Sequence, residues 1–332
     1  MRLRAIVAIA SCLFVPAFAL GQGPAREPLP RAVTVSAIPG VVAAGSKWQL
    51  AWQGFDNADG IVGTSDGGLL FAQEQPNRIR KLDKDGKDSV YLENTHGAGA
   101  LAIDAEGRIL AVERTCTDPG RASAAPPCVE PTVVGVLAPD RKVLADSFEG
   151  KPLGRLNDLV VDKKGRVYFT VGGAYHVSPG APVISLGENI RANGIMLSPD
   201  ETTLYVTNGM VILAFDILQD GTVTNRRDFA TLEGGGGGDG MAVDAAGRLY
   251  VTSNPGVQVF SPAGKYLGII PTPRGSISVA FAGRDKKTLF IVGSGALEPD
   301  GQEHTVPSGV RNNAKSIFKI PMLAEGFKGR AK

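Results

Sequence analysis

The chain has 332 residues, with 35 basic and 33 acidic side chains, 43 glycines and 22 prolines. Setting aside Arg2 and Arg4 in the leader leaves 33 basic residues against 33 acidic ones, so the overall pI near 8.4 overstates the basicity of the remainder. That balance, with no Lys/Arg-rich run interleaved with aromatics, excludes a nucleic-acid partner, and no later apolar stretch approaches the ~20 residues of a membrane span.

Arg2 and Arg4 precede an apolar run from Ala5 to Leu20 that contains Ala17-Phe18-Ala19. A basic start, a short apolar run and an A-x-A close describe a secretory leader. The alternative, Cys12 as a lipid-anchor cysteine, leaves the apolar residues beyond it without a purpose. The expected division is a signal peptide over 1–21, an N-terminal extension with a closing strand over 22–50, one domain over 51–322 and a tail over 323–332. The mature protein is expected in the periplasm or outside the cell, without a membrane span.

Next come six copies of one pattern, an apolar strand, an Asp/Gly turn and a second apolar strand. They are "DGIVGTSDGGLLFAQ" from Asp59, "GALAIDAEGRILAVE" from Gly99, "NDLVVDKKGRVYFT" from Asn157, "NGIMLSPDETTLYVTN" from Asn193, "DGMAVDAAGRLYVTS" from Asp239 and "ISVAFAGRDKKTLFIVG" from Ile277. The starts are 40, 58, 36, 46 and 38 residues apart, close to the ~40 to 50 residues of a four-stranded propeller blade. Hairpins such as "GVQVFSPAGKYLGII" fill the intervals. The fold class is therefore all-β, a six-bladed β-propeller of four-stranded blades. The segments "AVTVSAI", Ala32 to Ile38, and "SIFKIPM", Ser316 to Met322, are expected to pair and close the ring.

Between the second and third copies, Cys116 and Cys128 flank a Pro-rich loop. In an oxidising compartment an even pair of this kind predicts a disulfide, and no further ligands lie nearby for zinc.

The first strand of a blade lines the channel, so its first residues form a ring around the axis. Read in order, that ring is Asp59, Gly99, Asn157, Asn193, Asp239 and Ile277. Asp and Asn also favour strand starts because they bond the local backbone. Carboxylates converging on one axis, however, repel unless a cation lies between them. Oxygen donors without Cys or His select a hard ion, which favours Ca²⁺, with Mg²⁺, Mn²⁺ and Zn²⁺ as alternatives.

The recurrent Asp104, Asp162 and Asp244, with Gly107, Gly165 and Gly247, read as turn residues at the far end. Loops after the second strands bring Glu74, Glu113, His176, Asn208 and Asn254 toward the mouth. "GGGGG" before Asp239 lacks a P-loop lysine and reads as a flexible approach to the axis. Three histidines and no G-x-S-x-G argue against a serine hydrolase.

"RLNDLVVDKKGRVYFT", "NGIMLSPDETTLYVTN" and "DGMAVDAAGRLYV" resemble the senescence marker protein/gluconolactonase/luciferin-regenerating-enzyme-like family over about 51–320. The resemblance implies a six-bladed propeller with a divalent metal, usually Ca²⁺, and lactone hydrolysis at the axis. It implies metal ligands at Asn193 and Asp239, with Asp59 where the family usually has Glu, and substrate contacts from Arg155 and Asn157. In some members the acid at the position of Asp158 also serves the metal. Gly238 stands where Pro is common, and "FTVGGAY" lacks an acid often found there.

The expected activity is metal-assisted hydrolysis of a lactone or sugar-acid ester by a monomer. Asp239 is the preferred proton acceptor and Arg155 the group that steadies the developing anion. The alternatives are a non-catalytic propeller that binds a sugar acid or peptide, and a related propeller esterase with another substrate.

Overall fold

The computed structural model describes residues 25–26, 29–114, 130–308, 310–330 and 332. The predicted Cys116–Cys128 bridge and the leader lie outside the described residues. Among those residues every regular element is a strand, and six four-stranded antiparallel sheets form the blades of a propeller.

In each of the first five blades the strands follow chain order from the axis outward. Their first strands are Ile61–Gly63, Ala98–Ile103, Leu159–Val161, Ile195–Leu197 and Met241–Val243. Four of these are only three residues long and wholly buried, because both faces of an inner strand are covered by neighbouring blades. Outer strands such as Asp88–Glu93 and Val223–Thr231 are largely exposed.

The sixth blade has the order Ser276–Ala282, Thr288–Ser294, Lys315–Pro321, Gln49–Gly54. The ring is thus closed by an N-terminal strand against the predicted C-terminal one, but the partner is Gln49–Gly54 and not Ala32–Ile38. In the latter segment Val35 and Ile38 are buried without forming a strand, and with Val41 they pack against Tyr250 and Phe281 of the last two blades.

The apolar cores lie between blades. Val62, Leu70 and Ala72 of the first blade meet Leu101, Ile109 and Ala111 of the second. Ile61 and Phe71 meet Ala280, Val292 and Ile317 of the sixth. Burying both faces of every sheet in this way makes the ring self-supporting.

The expected turn chemistry is present in detail. Asp104, Asp162 and Asp244 each accept two backbone N–H groups with Oδ1, at 2.8 to 3.1 Å, and bind the Arg four residues on with Oδ2. Gly107, Gly165 and Gly247 have φ of 79°, 75° and 76°, which favours glycine. Across this far face runs the segment 322–330. Arg330 donates to Leu197 O at 2.6 Å, and the Lys332 side chain enters the channel beyond it.

Candidate active site

The ring positions are set by one repeated hydrogen bond. The backbone N–H groups of Asp59, Asn157 and Asp239 reach Ala72 O, Thr170 O and Thr252 O on the second strands of their blades, at 2.8 to 3.0 Å. In the fourth blade the N–H of Asn193 reaches Thr207 Oγ1 at 3.1 Å instead. The four oxygen-bearing residues therefore start their strands at one level, as the repeat predicts.

Glycine follows three of the ring residues, Asp59, Asn193 and Asp239, and has a steric cause there. A Cβ on Gly60 would lie 2.5 Å from Ala100 Cα, one on Gly194 2.0 Å from Asp239 O, and one on Gly240 2.9 Å from Ile277 O. Close approach lets neighbouring blades bond directly, as in Gly60 N–H to Gly99 O at 2.7 Å and Gly240 N–H to Ile277 O at 2.9 Å. The third blade carries Asp158 where these have glycine. Its carboxylate makes the link itself, accepting from Leu159 N at 2.9 Å and from Ile195 N of the next blade at 3.1 Å. It also accepts from the Lys332 ammonium. Asp158 thus joins blades and holds a buried cation.

Asp59, at the start of the first blade, is taken by another cation. Arg114 Nη2 lies 2.5 Å from Asp59 Oδ2, and Nη1 lies 3.6 Å from Glu74 Oε2. Asp239, on the fifth blade, lies within reach of the charge of both paired acids. Burial first, then the nearby Asp59 and Asp158 carboxylates, push its carboxyl well above the usual range, against the pull of Arg114 and a hydrogen bond from Asn193. The other end of that amide, Asn193 Oδ1, is buried with no hydrogen-bond partner.

An orphaned amide oxygen beside a desolvated carboxylate is a donor set that fits a hard cation. Among the described residues no three His, Cys, Asp or Glu side chains converge as a metal cage. The fit rests on amide oxygens with carboxylates, and Asp59 would have to share or exchange Arg114.

The site opens into a small cleft lined by Asp59, Glu74, Arg155, Ile277, Arg311 and Lys315. Arg155 is exposed at this mouth, so the structure brings it to the same cleft as Asp59, while Asn157 is half-buried at the third ring position. Of the polar residues expected near the mouth, Glu74 is part of the buried Arg114 group. Glu113 is buried but held by Arg141 at 2.6 Å. His176 is a correction: it lies on the third strand of its blade, paired with Tyr168 and stacked on that ring at 5.1 Å, where burial lowers its pKa. The glycine run uses the left-handed region, with φ of 79°, 77° and 83° at Gly234, Gly235 and Gly236.

Reasoning from sequence missed Arg114, Arg311, Lys315 and Lys332. For Arg114 a signal existed: Gly99 interrupts a ring otherwise rich in Asp and Asn, and something has to fill that space.

The family model described as the SMP-30/Gluconolactonase/LRE-like region matches residues 58–295. A gluconolactonase of Zymomonas mobilis is 27% identical over 282 residues, covering 71% of this chain and 76% of the relative. The lactonase drp35 of Staphylococcus saprophyticus is 36% identical over 195 residues, covering 52% of this chain and only 56% of the relative. Among solved structures, a gluconolactonase from Xanthomonas campestris superposes with a TM-score of 0.66 at 22% identity, covering 91% of this chain and 99% of that one. A calcium-binding protein, regucalcin, from Agrobacterium tumefaciens gives 0.62 at 18% identity, covering 83% and 93%. These two likenesses bear on the fold.

Proposed function

Because the chain belongs to the SMP-30/gluconolactonase/LRE-like family, we propose that it is an exported, divalent-cation-dependent lactonase acting on a sugar lactone or related cyclic ester. Hydrolysis of a lactone is supported by the gluconolactonase and lactonase relatives. Export is supported by the leader pattern at 1–21, and Ca²⁺ by the all-oxygen donor set.

The observation that carries the reading is the state of Asp239. Two neighbouring acids have built-in counter-ions, Arg114 for Asp59 and Lys332 for Asp158, whereas Asp239 is desolvated beside the orphaned Asn193 Oδ1. A carboxylate in that position accepts either a cation or a proton, which are the two things ester hydrolysis by water requires.

Asp239, Asn193 and Asp59 would hold the ion, with Asn157 beside them. When bound, the ion supplies polarisation of the lactone carbonyl and a lowered pKa for water. Asp239 takes the proton of the attacking water and later returns it to the ring oxygen that leaves. Arg155, at the mouth, steadies the negative charge that grows on the carbonyl oxygen. The inner wall of buried strands keeps bulk water from the far side, since Arg330 and Lys332 fill that end.

The test is a pH-indicator hydrolysis screen over aldonolactones and acyl lactones, with added Ca²⁺ and with chelator. Hydrolysis that disappears with chelator is the expected result. No turnover of any lactone with Ca²⁺ present, by protein that holds no divalent ion on metal analysis, would sink the proposal.

A further inference from the structure

One of the six ring positions carries no side chain, and a cation fills it. A Cβ built on Gly99 would lie 1.7 Å from Nη2 and 1.9 Å from Cζ of Arg114. Arg114 leaves the end of Ile109–Glu113 with its N–H bonded to Gly97 O at 3.0 Å. Its side chain is 3% exposed, as buried as the 2% of Glu74 beside it. The guanidinium therefore occupies the second-blade place in the ring, sandwiched between Glu74 and Asp59.

A guanidinium so placed is worth little as a surface bridge and a great deal as a local charge, because the water that would screen it has been removed. Asp59 Oδ2, at 2.5 Å from Nη2, cannot at the same time give that oxygen fully to another cation. A second positive charge entering the ring is also repelled by the first. We propose that Arg114 is a tethered cation that competes with the divalent ion for Asp59 and so sets the affinity of the axial site. The inference rests on the reading of the ring as a cation site, and concerns affinity alone. Its consequence for the sequence is that Gly99 and Arg114 form one device: glycine at the ring position is what admits the guanidinium.

Chelator-treated wild type, Arg114→Gln, Arg114→Lys and Gly99→Ala are titrated with CaCl₂ alone, reading the thermal midpoint and, by equilibrium dialysis, the bound calcium. Arg114→Gln should bind Ca²⁺ about tenfold more tightly or better, the effect of removing one unscreened charge near a divalent ion. Arg114→Lys keeps a charge and should stay near wild type. Gly99→Ala evicts the flexible guanidinium without deleting it, should shift in the same direction as Arg114→Gln, and decides the matter if the latter does not fold. Calcium binding that is unchanged or weaker in the folded variant overturns the proposal, as does absence of binding in every form. Failure of both variants to fold overturns it too, since the guanidinium would then be a requirement of the fold. Lactone turnover is followed in the same samples. Tighter calcium without turnover in any form removes the reaction assigned above and leaves the competition standing, whereas turnover with unchanged calcium affinity has the reverse meaning.

Discussion

The Lys332 ammonium donates to the Asp158 carboxylate from inside the channel, and it also reaches Ile195 O at 3.2 Å. Burial pulls the lysine below its ordinary pKa while Asp158 opposes that pull. Lys332→Met removes the counter-ion and leaves Asp158 with two backbone N–H groups. Loss of up to about 3 kcal/mol is expected, less where water follows the vacated side chain. The urea midpoint measures it, and a midpoint equal to wild type would show that the pair is solvated.

Asp239 is assigned both to the ion and to the proton. Asp239→Asn keeps an oxygen in place and should retain part of the metal affinity while turnover falls by about 10²-fold or more. Asp239→Ala should lose bound calcium as well. If Asp239 merely starts a strand, both variants will keep metal and activity and lose about 1 kcal/mol of stability.

The same carboxyl gives stability a pH dependence in metal-free protein. Its native pKa is raised, chiefly by burial and by Asp59 and Asp158, so the native state binds the proton more tightly than the unfolded chain. Stability from this group is therefore present at low pH and is lost as pH rises from about 3.9 through the raised native value. Asp239→Asn carries no such penalty. With chelator present, its stability should gain on wild type as pH rises above the ordinary carboxylate value of about 3.9. A difference between the two denaturation midpoints that does not change with pH would contradict the shift.

Arg155 lies in the mouth and not in the ring. Arg155→Ala should leave calcium binding intact and lower kcat/KM, with loss in kcat if the guanidinium acts mainly on the transition state. Unchanged kinetics in a folded variant would reduce it to a brace at the cleft.

The far-face turns differ in one bond. Asp244 Oδ2 accepts from Tyr250 Oη at 2.8 Å in addition to the Arg248 contact, and it is wholly buried, while among the described residues Asp104 has the arginine and backbone bonds alone. Asp244→Ala should therefore cost about 1 kcal/mol more than Asp104→Ala, the worth of an added hydrogen bond to a charged group. Neither should alter calcium affinity. Equal losses would assign the cost to the turn alone.

The repeat, the blade number, the turn aspartates and the ring of Asp59, Asn157, Asn193 and Asp239 were legible in the sequence. All of them follow from short-range rules. A hairpin's alternation and its Asp/Gly turn are local, and once six copies are counted the geometry of a propeller puts their first residues at one level. Even Asp158 is partly readable, because it breaks the Asp-Gly or Asn-Gly pair kept in three other copies. The closing strand was not readable in this way. Ala32–Ile38 and Gln49–Gly54 both carry apolar residues, and the latter wins because it leads to the first inner strand at Ile61 after a short connection, leaving the earlier segment to fill the space against Tyr250 and Phe281. The cations that pair with Asp59 and Asp158 were hidden for a different reason, although the gap at Gly99 marked a place for Arg114. Arg114 lies 55 residues from Asp59, and Lys332 lies 174 from Asp158. No periodicity links such pairs. Only the closed ring brings a second-blade exit and a distant tail to the same axis, where the low dielectric around Asp59 and Asp158 favours a cation beside each.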